Sequence, residues 1–162
     1  MVTGTSGNPR LNIWLAGGLG LLTLATVPAA HASGPEATSL NTAALIQMEA
    51  QADHAKPRDQ CYLYTQLVDA LMETASRQVA AGEDEDAGKT VGRIDEVAAK
   101  LQLASARDAK KLKAAEKILS ESTRKLMELS RVASGVERDK MKATLEKLDA
   151  AHSKILGLVF LN

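Results

Sequence analysis

Apolar residues in this chain recur at alternating steps of three and four. Cys61, Tyr64, Val68, Leu71, Ala75 and Val79 form one series, widened by Leu67 and Met72. Ala87, Val91, Ile94, Ala98 and Leu101 form a second. Leu112, Ala115, Leu119, Ser122, Leu126, Leu129 and Ala133 form a third, and Met141, Leu145, Leu148, His152, Ile155 and Val159 a fourth. Such steps keep residues on one face of a helix, whereas a half-buried strand demands strict alternation. No segment alternates long enough to be a strand. Helices with one apolar seam bury those seams against one another. The spacing therefore predicts an all-α fold: an antiparallel up-and-down helical bundle of about four helices, crossing at roughly 20°.

Glycine and proline mark the boundaries. Pro57 suits the first turn of a helix, so it either starts one or kinks a longer one. Before it, residues 40–54 make a weaker helix, with Leu40, Ala44, Ile46 and Met48 among its apolar positions. Gly82 ends the first strong stripe. The acids at 83–86 then favour the N-terminus of the next helix through its dipole. Residues 86–133 allow one unbroken helix of roughly 72 Å at ~1.5 Å per residue. They equally allow two, parted at Ser105 to Asp108, and the capping side chains there favour the break. Gly135 ends the third stripe, while Ser134 and Glu137 have capping-box spacing.

The first thirty or so residues belong to a different class of segment. Arg10 is followed by the uncharged run "LNIWLAGGLGLLTLATV" and then by "PAAHAS", with small residues at Ala30 and Ala32. A positive start, an apolar run and a small-residue exit describe a secretory signal peptide over 1–32. The expected product is exported, periplasmic or extracellular, with a flexible leader at 33–39 and one helical domain over 40–162. No later run is long enough for a stable membrane span. Cleavage of the signal peptide removes Arg10, leaving one more acid than base, so net charge gives no reason to seek nucleic acid. Trp14 also departs, so the remaining aromatics are Tyr62, Tyr64 and Phe160, too few for stacking platforms.

Chemistry has few places to reside. Cys61 has no partner in the chain, although an oxidising compartment is expected. Its position on the seam suits a buried core thiol; a metal or an intermolecular disulfide is the alternative, with His54 as the nearest co-ligand. His152 occupies a seam position on the last helix. Together with Met48 on an early helix it has the placement of the two axial ligands in an exported four-helix haem protein. The other reading of His152 is a histidine hydrogen-bonded across the seam. The "EDED" run at 83–86 lacks the alternating ligands of a calcium loop and reads as a solvated turn. Lys110, Lys113, Lys117 and Arg124 form a basic strip, which Asp108, Glu116, Glu121 and Glu128 nearly cancel. No nucleophile, base and stabiliser assemble, so the expectation is no enzyme and no cofactor. A helix surface that binds another protein or a second copy is expected instead. A haem, metal or small-ligand carrier is the alternative.

Two resemblances accompany these residues. "GEDEDAGKTVGRI" resembles one tetratricopeptide hairpin in placing Gly82, Ala87, Val91 and Ile94, without the family's tryptophan or its repeat of about 34 residues. "KPRDQCYLYTQLV", the "GED" turn and "KKLKAAE" resemble a group of small exported proteins from acidobacteria, over roughly 45–160. That likeness implies a secreted helical protein and no activity.

Overall fold

Pro57 starts a helix, and so does Pro35. The computed structural model describes residues 35–161 apart from 107 and 134; the expected signal peptide lies outside the described residues. Among these the elements are α1 (Pro35–Asp53), α2 (Pro57–Ala80), α3 (Asp84–Ala104), α4 (Leu112–Val132) and α5 (Gly135–Leu161). The chain is all-α. The first helix begins five residues before its expected start at Leu40 and takes up most of the expected leader 33–39. Proline explains this as it explains α2: its φ is preset for a helix and its missing N–H is needed by no partner in the first turn. Ahead of Pro57, Lys56 is extended, with ψ 141°.

The exit from α2 is a Schellman turn. Gly82 at φ +75° lets its own N–H reach Val79 O at 3.0 Å, while Glu83 N–H reaches Gln78 O at 2.8 Å. Asp84, Glu85 and Asp86 then fill the first turn of α3, where the dipole favours them.

The unbroken helix allowed over 86–133 is two helices. Ser105 does not cap the second, as its side chain suggested. Its hydroxyl bonds back to Leu101 O at 2.7 Å and closes α3. The second helix instead starts at Leu112, after Lys111 in the left-handed region at φ 57°. Between them, Lys110 N–H bonds to Arg58 O at 2.7 Å, strapping the linker to the first turn of α2. Gly135, at φ +56°, turns the chain into α5. The expected capping box needs Ser134, which is outside the described residues, and Glu137 pairs with Lys140.

Side-chain partners give the helix directions. Gln78 bonds Thr90 and Cys61 lies against Ser105, so α2 and α3 run antiparallel. His152 meets Glu116 and Arg138 reaches Ala133 O, so α4 and α5 do too. Across the other seams the numbers rise together. Asp69 meets Ser122 and Glu73 meets Lys125, so α2 and α4 are parallel. Asp95 meets Lys147 and Gln102 O meets Lys154, so α3 and α5 are parallel. The reversal expected at each short turn therefore does not extend to every seam. Two hairpins lie side by side, like helix against like. The linker crosses the base diagonally, and α3 and α4 make no close backbone approach. On the other side, α1 packs along α2.

The core runs through this stack from Leu45 to Ile155. Leu67, Val68, Leu71 and Met72 of α2 are wholly buried, with Ile94, Val97 and Leu101 of α3, Leu119 and Leu126 of α4, and Leu148 and Ile155 of α5. Among the described residues the core begins at Leu45, and residues 33–162 form one compact unit.

Leu119→Ala is expected to lower unfolding free energy by about 2–5 kcal/mol in chemical denaturation, because it opens a cavity at a fully buried site. Gly92 has open space where a Cβ would sit, so Gly92→Ala raises stability by about 1 kcal/mol. Gly82→Ala lowers it by about 1 kcal/mol because of its φ.

Candidate functional site

The residues singled out in sequence do not converge. Cys61 is fully buried on α2, 3.8 Å from Ser105 Oγ, and burial raises its pKa. An unionised, enclosed thiol is neither a nucleophile nor a ready ligand. His54 is exposed just beyond α1. Met48 packs half-buried against the core from α1, and α1 makes its close approach to α2 alone. His152 is on α5, half-buried, with Nε2 3.0 Å from Glu116 Oε1 of α4. Met48 and His152 thus stand on helices whose backbones make no close approach. Among the described residues no group of three His, Cys, Asp or Glu side chains can hold a metal ion.

The two tyrosines divide as their spacing implies. Tyr64 is buried and donates its hydroxyl to Asp53 Oδ1 at 2.7 Å. Tyr62 is half-buried, and Lys111 Nζ stands 4.4 Å above its ring, a cation–π contact that helps hold the left-handed linker residue.

Tyr64 belongs to a polar clasp that fastens α1. Lys100 of α3 reaches Glu49 Oε1 at 3.0 Å and Asp53 Oδ1 at 3.0 Å, while Arg93 reaches Glu49 Oε2 at 3.1 Å. Hydrogen bonds from Lys100 lower the Glu49 pKa, and the Tyr64 hydroxyl with Lys100 lowers that of Asp53. Burial and the bond to Asp53 push Tyr64 up to about 12. Two acids balance two bases, and every member has a partner. The clasp is structural, and its long-range partners carry no local signature in the sequence.

Two surface features at opposite ends of the hairpins remain. At the turn end, a pocket of about 170 Å³ is lined by Val79, Ala87, Val132, Ala133 and Met141 together with the acids Asp84 and Glu137. Val132 is 71% exposed, and nearby Val136 is 69% exposed. At the linker end, an open groove of about 520 Å³ has Arg58, Lys110, Lys111 and Lys113 around Ala109, Leu112 and Val159, with Asp108 the acid. The end also bears Leu103, Phe160 and Leu161, exposed by 87%, 82% and 67%. Sequence reading named Lys110 and Lys113 as part of a nearly cancelled basic strip and passed over Leu103, Val132, Val136 and Leu161. Leu103 and Val132 are out of phase with their stripes, which is the one local signal they carried.

No protein-family model, curated protein or solved structure matches this chain.

In a Tyr62→Phe variant, the remaining tyrosine is expected to ionise near pH 12 by ultraviolet titration. Cys61 should resist a thiol reagent in native buffer and react readily in denaturant. Asp53 and Glu49 have folded pKa values below their unfolded ones. Their contribution is therefore present above the ordinary values of 3.8 and 4.5 and is lost as pH falls through the lower folded ones. NMR resonances of α1 should accordingly move in that acid window before those of α2.

Proposed function

We propose that this chain is an exported, non-enzymatic interaction protein of the cell envelope, periplasmic or extracellular, which binds another protein or a second copy of itself through a helix surface. We read α2 to α5 as an up-and-down bundle in chain order, each helix reversing the one before; the short connections from α2 to α3 and from α4 to α5 support this. Such a bundle is a rigid frame for a surface at its end.

One observation carries the reading: the apolar pocket at the turn end, with Val132 and Val136 left in water beside it. Adjoining exposed aliphatic side chains mark contact sites more often than scattered ones do. Asp84 and Glu137 are the charged residues that line it, so the partner face it suits is apolar with a basic group beside it. The carrier alternative requires ligands that face one chamber. Met48 and His152 are apart, and Cys61 and His54 differ in burial, so the interaction reading is the better supported.

A photo-crosslinking residue at Val136 in exporting cells is expected to give a discrete protein adduct, whereas one at Ala143 gives none. The captured species should begin at Ser33. Val132→Asp with Val136→Asp should weaken binding of the identified partner by tenfold or more. Absence of any adduct at Val136, or a haem or metal that co-purifies stoichiometrically and is lost in His152→Ala, would overturn the reading.

A further inference from the structure

The linker end has a different chemistry from the turn end. The linker, the start of α2 and the end of α5 meet there, because Lys110 N–H bonds Arg58 O and Val159 lines the same groove as Leu112. The end of α3 is adjacent, since Gln102 O accepts from Lys154 at 2.5 Å. From Lys154 the last helix runs on to Leu161, roughly 10 Å further at ~1.5 Å per residue. Apolar side chains that the core does not use are thus held at the same end as a basic groove.

We propose that this end docks on an anionic lipid surface, with Phe160 and Leu161 entering the interfacial layer and the groove's cations meeting the headgroups. Charge complementarity carries the choice of occupant. Four bases line the groove against Asp108, and Asp59 beside it is matched by Lys110 at 3.2 Å. A positive surplus therefore remains, and Arg58 and Lys113 bring it without an ion pair within the described residues. Formal net charge over the whole chain is zero, so any attraction to an anionic surface must come from such a local patch. Apolar side chains flanked by lysine and arginine are the composition of an interfacial anchor. No described helix is long and apolar enough to cross a membrane, and docking at the surface requires none. The turn-end pocket is lined by Asp84 and Glu137 and by no base, so it offers that lipid no such attraction. Docking would therefore orient the bundle with its linker end on the membrane and its turn end away from it. The proposal goes beyond the protein-binding reading and stands apart from it, since it uses the other end of the molecule.

The test uses residues 33–162, because the apolar run at 11–27 would bind lipid by itself. Co-sedimentation with phosphatidylglycerol vesicles is expected to exceed that with phosphatidylcholine vesicles by tenfold or more, and to fall as salt rises. Arg58→Gln with Lys113→Gln should cut binding by about tenfold, as should Phe160→Ser with Leu161→Ser. All four positions are exposed and outside the core, and an unchanged circular dichroism melt would confirm that both variants fold. Equal binding to the two vesicle types, or full binding by both variants, overturns the proposal. Binding to polyglutamate but not to vesicles also overturns it and assigns the groove to an acidic protein partner. Crosslinking at Val136 reads the other surface, so either idea can fail while the other stands.

Discussion

Burial of α2 is the constraint on which the rest of this structure depends. This helix approaches α1, α3 and α4, and no single narrow seam can serve three neighbours. Its stripe is accordingly wide: Cys61, Tyr64, Leu67, Val68, Leu71, Met72 and Ala75 are all buried. Each large aliphatic side chain among them contributes roughly 1.5–3 kcal/mol on leaving water. Without α2, α1 would have no backbone to lie on and the two hairpins no shared face along that side. The cysteine, the tyrosines and the proline of one short segment have a common explanation. Pro57 fixes where the helix begins, and the segment after it enters the most crowded part of the core.

The flanks of the stack and its ends are built differently. Along the flanks, charged side chains cross from helix to helix, as Lys125 does to Asp69 and Glu73, and Lys147 to Asp95. Each such pair is partly open to water and contributes no more than about 1 kcal/mol. Together they occupy the surface with matched charge and keep it solvated. The ion pairs at the ends are local, as between Lys89 and Asp86 or Lys110 and Asp59. Acids gather at the turn end because the α3 dipole favours them there. Bases gather at the linker end, where the chain crosses beneath the hairpins. The apolar residues that no stripe uses stand out at these same ends.

Much of the fold was legible in the sequence. The stripes of α2, α3, α4 and α5 read directly as buried faces, down to Ser122, which the rhythm included and which is fully buried. The turn at Gly82 was legible too, since a left-handed residue followed by acids is a local signal. The start of α1 was not, because polar and small residues at 35–39 give no periodicity and only Pro35 marks the boundary. The break after Ala104 was seen as one of two options, but its mechanism was misjudged. Ser105 can bond forwards as a cap or backwards to Leu101, and contact with Cys61 on another helix selects the second. His152 shows the same limit: its seam position was evident, whereas its partner Glu116 belongs to a different helix.

The sequence alone determined which face of each strong helix is buried and where most helices stop, because these depend on residues within a few positions of one another. Tertiary structure decided which helices became neighbours. A seam of leucine and alanine accepts many partners at similar cost, so nothing local states that α4 should lie parallel to α2 rather than return along α3. That choice follows from the length and path of the linker and from long-range pairs such as Arg58 with Lys110 and Glu49 with Lys100. It also decided which spare apolar residues share an end with the basic groove, since exposure is a property of the assembled stack and not of any one helix.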